Sequence, residues 1–156
     1  MKLIVDGDGC PQNARKICEE YASYYNIGMV VVSSYDHNMQ GDFETIIVDK
    51  GKDSADFKVI ELASKEDIVI TQDYGLASLL LAKTYAVLNP VGFEYTDSNI
   101  DKLLMTRYLG QKTRRSGGRT KGLKKRKASD DIHFEEVLIS TITRRIKNAE
   151  NLNELI

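Results

Sequence analysis

The chain has 156 residues, 42% hydrophobic and 29% charged, with two prolines and no tryptophan, which favours one globular domain with a sizeable core. No stretch approaches the roughly 18 uninterrupted apolar residues of a membrane span, and the apolar run behind Met1 is too short for a signal peptide, so a cytoplasmic protein with no membrane partner is expected. The formal net charge of −1 hides a segregation: Lys112 to Lys127 carries nine Lys or Arg and no acid, while acids dominate the remainder. Such a split points to a polyanion held by the basic segment and a cation held by the rest.

Leu3-Ile4-Val5 reads as a first strand that runs into the acidic turn Asp6-Gly7-Asp8-Gly9-Cys10-Pro11. Gly7 and Gly9 allow a sharp bend and a close approach to a ligand. Pro11 suits the first position of a helix. That helix extends from about Pro11 to Tyr25, with Ala14, Ile17, Cys18, Tyr21, Ala22 and Tyr24 at helical spacing, and Asn26 and Gly28 stop it. Met29 to Val32 is a short β-branched run, best read as a buried parallel strand. The polar run from Ser33 to Asp42 is a loop, and Thr45 to Val48 the next strand. Asp53 and Asp56 then open a helix with Phe57, Val59, Ile60 and Ala63 as its apolar positions.

Asp67 to Thr71 is a fourth strand, ending in Thr71-Gln72-Asp73, and Leu76 to Ala82 a short apolar helix. Tyr85 to Leu88 is a fifth strand closed by Asn89-Pro90. Strands alternating with helices imply a parallel sheet covered on both faces, a three-layer α/β/α sandwich. Thr96-Asp97-Ser98-Asn99 caps a further helix with Ile100, Leu103, Leu104 and Leu109 turned inward. The Gly-containing basic segment, about 111–128, reads as a mobile arm. A last helix starts at Ser129 or Asp130 and extends to about residue 147, with Phe134, Val137, Leu138 and Ile142 as its stripe, before a tail that frays or packs late.

Asp6 and Asp8, Asp53 and Asp56, and Asp73 each fall at or just after a strand end, and in a parallel sheet those ends share one edge. Five carboxylates gathered there repel one another, so a divalent cation is needed to keep them ionised together. Mg²⁺ or Mn²⁺ is the expected ion, because hard cations take carboxylate oxygens. Asp53 and Asp56 also suit the amino end of a helix, where acids cap and complement the dipole. The basic arm, with Lys112, Arg114, Arg115, Arg119 and Lys121, would bind a phosphate backbone without reading its sequence. Acids and arm together describe a metal-dependent nuclease that hydrolyses phosphodiester bonds. A second chemistry starts from the same turn: a strand followed by Asp-x-Asp-Gly resembles the haloacid-dehalogenase phosphatases, with Asp6 as nucleophile and Asp8 as acid/base. Against it, Cys10 stands where that family has Thr or Val, and a late acidic pair is missing.

Five stretches in order resemble the YaiI/YqxD family of bacterial proteins. They are Val5-Asp6-Gly7-Asp8-Gly9-Cys10-Pro11, Gly51-Lys52-Asp53-Ser54-Ala55-Asp56, Ile70-Thr71-Gln72-Asp73, Leu88-Asn89-Pro90 followed by Gly92, and Ser116-Gly117-Gly118-Arg119-Thr120. The resemblance covers nearly the whole chain and implies a relation to PIN-like nucleases, whose fold is a parallel sheet between helices. By that resemblance Asp6, Asp8, Asp53, Asp56 and Asp73 are the catalytic and metal-binding candidates for Mg²⁺ or Mn²⁺, and RNA is favoured over DNA. The sequence departs from the pattern at Gly7 and Gly9, and at Lys121-Gly122-Leu123, where relatives have Gly-Gly-Pro. A nucleic-acid-binding protein without turnover is the non-enzymatic alternative. Of the remaining reactive residues, Cys18 belongs on the inner face of the first helix, Cys10 lacks a nearby histidine, and His37 and His133 fit surface positions better than ligation. Tyr35 and Tyr74 offer rings for base stacking, with packing the commoner use.

Overall fold

The computed structural model describes residues 1–35, 40–51, 53–118 and 125–155. These form a sheet of six strands, β1 (Lys2–Asp6), β2 (Gly28–Ser33), β3 (Glu44–Ile47), β4 (Ile68–Ile70), β5 (Ala86–Asn89) and β6 (Phe93–Glu94), in the order β3-β2-β1-β4-β5-β6. The first five are mutually parallel, and β6 pairs antiparallel with β5. Helices α1 (Gln12–Tyr24), α2 (Ser54–Leu62), α3 (Tyr74–Leu80), α4 (Asp97–Arg115) and α5 (Ala128–Glu154) complete the three layers.

The apolar strands are continuous because both faces of the sheet are covered. Leu3 and Val5 of β1 join Met29, Val31, Ile68, Ile70 and Leu88 beneath α1 and α5, which contribute Ala14, Cys18, Phe134, Leu138 and Ile142. Ile4, between them, points the other way and meets Val30, Val32, Val69 and Val87 beneath α2, α3 and α4. Each such side chain contributes about 1.5–3 kcal/mol when fully buried. A slip of one residue would exchange the two faces wholesale, so the pairing of Val5 with Val31 and Ile70 is strongly fixed.

The chain steps outward from β1 to β2 to β3, then crosses back to place β4 on the other side of β1. Neighbours β1 and β4 therefore continue in opposite directions, and their carboxyl ends frame the crevice in which ligands of open α/β sheets bind.

Several elements differ from expectation, each for a visible reason. The antiparallel β6 is only two residues long and has no periodicity to read. Helix α3 starts at Tyr74 because Asp73 caps it, its side chain accepting from the Leu76 amide. Phe57 and Leu109, expected inside, are 67% and 52% exposed. Helix α5 runs unbroken to Glu154, beyond the expected end. The basic segment also begins differently: Lys112, Arg114 and Arg115 form the last turn of α4. The two glycines that follow are a helix stop. Gly117 takes φ +82° and donates to the Arg114 carbonyl, and Gly118 donates to that of Thr113, the paired bonds of a Schellman motif. Arg119 and Lys121 lie outside the described residues, as does His37.

Candidate functional site

Asp6 ends β1 and is 7% exposed, with its Oδ2 accepting from Thr71 Oγ1 at 2.8 Å. Thr71 follows β4, so this bond spans the switch point. Its hydroxyl also accepts from the Asp73 amide at 3.0 Å, which fixes the turn into α3. Burial raises the Asp6 pKa above the ordinary 3.8, and Asp8 and Asp73 push it the same way while the Thr71 bond opposes them.

Asp8 is held by the end of β2. Its carboxylate accepts from Ser33 Oγ at 2.7 Å, from Ser34 Oγ at 2.6 Å and from the Ser34 amide at 2.9 Å. Gly7 makes that approach possible: a Cβ there would stand 2.7 Å from Val31 Cγ1 and 3.0 Å from the Val32 carbonyl oxygen. The close approach is thus to the neighbouring strand and not to a ligand. Gly9 meets nothing within 4 Å and carries no such constraint.

Asp56 lies in the first turn of α2, and its pKa is pushed up to about 6, by burial first and then by Asp73, Asp6, Asp53 and Asp8. Those repulsions are the electrostatic signature of acids drawn from three connections and placed side by side. Asp73 faces the same space. Its Oδ1 accepts from the Leu76 amide at 3.1 Å and pairs with Arg107 at 3.3 Å. Asp53 is the N-cap residue of α2, in the left-handed conformation (φ 64°), and its side chain makes no capping bond. It opens instead onto an adjoining depression shared with Asp56, Asp73 and Arg107.

Asp6, Asp8, Asp56 and Asp73 line one cleft of about 1310 Å³. Basic residues line the same cleft, Arg107 and Arg114 on α4 and Lys125, Arg126 and Lys127 just before α5, with Asp130 among them. Arg126 is anchored, its Nε 2.7 Å from Asp131 Oδ1 and its Nη1 2.6 Å from the Pro90 carbonyl. Of the five basic residues expected to hold phosphate, Arg114 faces the cleft, Lys112 and Arg115 do not line it, and Arg119 and Lys121 are outside the described residues. Sequence reasoning did not single out Arg107, although it lies on α4 three and seven residues before Gly110 and Arg114, one helical face. It also missed Ser33, Ser34 and Thr71, the hydroxyls that hold the acids. Hydroxyls at strand ends next to acids were the available signal.

An all-oxygen donor set of this kind suits a hard divalent cation chemically. Among the described residues, though, no three acidic, His or Cys side chains are arranged to hold one ion. Asp8 is turned onto Ser33 and Ser34, and Asp73 onto Leu76 and Arg107. The acids share a cleft without yet sharing a coordination sphere.

The remaining candidates recede. Burial pushes the Cys10 thiol up to about 12, so it carries little thiolate at neutral pH. Cys18 is in the core, and His133 is exposed. Tyr74 lines the cleft with its ring edge-on to Tyr95, 6.0 Å between centroids. No helix among the described residues is long and apolar enough to cross a membrane.

Fold and site define a three-layer α/β protein whose sheet carries, at its switch point, a cleft lined by both acidic and basic side chains. The chain belongs to the family described as "Uncharacterized BCR, YaiI/YqxD family", whose model matches residues 4–144. It is 45% identical over 148 residues to a UPF0178 protein of Oceanobacillus iheyensis, covering 92% of this chain and 100% of that one. A UPF0178 protein of Enterococcus faecalis is 45% identical over 150 residues, covering 94% of this chain and 100% of its own. One from Ruminiclostridium cellulolyticum is 43% identical over 140 residues, covering 89% and 90%. No solved structure matches the chain at a significant level.

Proposed function

We propose that the cleft is the working site of a PIN-like, divalent-metal-dependent nuclease, with RNA the preferred substrate. The observation that supports this reading is that Asp6, Asp8, Asp56 and Asp73 line one cleft together with Arg107, Arg114, Lys125 and Lys127. A phosphodiester is an anion, and a wall of carboxylates repels it unless a cation intervenes. Asp6, Asp8, Asp56 and Asp73 would hold that cation. Bound there, Mg²⁺ or Mn²⁺ supplies an activated water and neutralises charge on the leaving oxygen. The arginines and lysines of the cleft hold the backbone by charge, with no dependence on base sequence. Thr71, Ser33 and Ser34 keep the acids oriented, and burial of Asp6 makes its need for a compensating charge the greatest.

The phosphatase reading is weaker, because Cys10 stands where that family has Thr or Val and a late acidic pair is missing. The rival with an observation in its favour is a nucleic-acid-binding protein without turnover, since the acids do not converge on one point among the described residues. Incubating the protein with labelled single-stranded RNA and DNA in Mg²⁺, Mn²⁺ or EDTA separates them. Cleavage that needs the metal and is abolished by Asp6→Asn is the expected result. Binding without cleavage across several RNAs and both metals would establish the binder and retire the enzyme.

A further inference from the structure

Helix α2 should bury its apolar positions, yet Phe57 on its second turn is 67% exposed, and Leu79 of α3 is 65% exposed. Both line the depression of about 430 Å³ that adjoins the cleft, together with Ile60 and Leu76. Asp53, Asp56 and Asp73 line it too, and Asp56, Asp73 and Arg107 border both spaces. This depression therefore combines an open aromatic ring and aliphatic neighbours with side chains that are mostly hydrogen-bond acceptors. Three acids against one arginine exclude a phosphate group from it. A flat, uncharged ring with N–H donors on its edge suits this lining, and the depression's size falls in the range of small-molecule sites.

We propose that this depression is a nucleobase subsite, in which a base stacks on Phe57 and turns an amino-bearing edge toward Asp53. It rests on the nucleic-acid reading above, and gives that reading a place for the nucleoside next to a phosphate held at Arg107. Gly75 also lines the depression, and a Cβ there would stand 3.4 Å from Arg107 Nη1 and 3.3 Å from Asp73 Oδ1, close against that ion pair. Stacking tolerates any base, so the subsite adds affinity while leaving sequence largely unread.

The experiment titrates the intact protein against a short fluorescein-labelled oligoadenylate by anisotropy, with and without Ca²⁺, for wild type, Phe57→Ala, Phe57→Leu and Phe57→Tyr. Phe57 is exposed, so these variants fold. Loss of a stacked base should weaken binding by about tenfold or more in Phe57→Ala, while Phe57→Tyr stays within about twofold of wild type. The salt dependence should not change, because no phosphate contact is removed. Equal binding by Phe57→Ala, or full affinity in Phe57→Leu, overturns the subsite and leaves the nuclease reading intact. Oligonucleotide that binds here but stays uncut when Mg²⁺ or Mn²⁺ is supplied sinks the nuclease and spares the subsite. Wild type that binds no oligonucleotide in either condition sinks both.

Discussion

Replacing Asp56 by asparagine should stabilise the protein above neutral pH. The Asp56 carboxyl is raised from 3.8 to about 6, chiefly by burial and then by Asp73, Asp6, Asp53 and Asp8. A raised acid binds its proton more tightly in the folded than in the unfolded state, so folding is favoured while it is protonated and loses that favour as pH climbs through about 6. The interval between 3.8 and about 6 corresponds to about 3 kcal/mol for a wholly buried group. The side chain is partly open to water, and screening reduces this to ~1–2 kcal/mol. Asp56→Asn removes the charge at similar volume, so the gain over wild type should be small near pH 4 and complete by about pH 8. For a chain of this size that is roughly 2–8 °C in Tm. Thermal melts of both proteins at the two pH values measure it. Mn²⁺ should narrow the difference at high pH by neutralising the same repulsion in wild type. A variant no more stable than wild type at high pH, or a gain equal at both, refutes the argument that the acids crowd one another.

Thr71→Val keeps the shape but removes the bond to Asp6 and the acceptor for the Asp73 amide, which should cost about 1–3 kcal/mol in urea unfolding; no loss would mean that water replaces the hydroxyl. Gly92 takes φ +108°, and a Cβ there would stand 2.6 Å from the His133 carbonyl carbon and 2.8 Å from the Phe134 amide nitrogen, so Gly92→Ala should cost ~2 kcal/mol or more, seen as a lower denaturation midpoint. Arg107→Ala should weaken RNA binding and flatten the log–log salt slope by about 0.7, and an unchanged slope would remove Arg107 from the phosphate contacts. EDTA should abolish cleavage and added Mn²⁺ restore it; cleavage that survives chelation contradicts the metal requirement.

The strands, the helices between them and the faces they bury followed from periodicity, since a strand covered on both sides must be apolar throughout, as Leu3-Ile4-Val5 and Met29 to Val32 are. So did the presence of acids at strand ends, because Asp6 directly follows an apolar run and Asp73 stands just beyond another, after Thr71 and Gln72. What sequence could not supply was mutual position. That Asp73 shares a cleft with Asp6 depends on β4 lying beside β1, a crossover that no local pattern encodes. That Asp8 answers to Ser33 and Ser34, and Asp6 to Thr71, depends on the register of neighbouring strands. The glycines after Arg115 looked like a mobile arm and proved a helix stop, because a Schellman turn and a flexible loop ask for the same residue. Phe57 fitted an inward face and stands in the open, because helical spacing says which residues share a side but only packing decides which side meets the sheet.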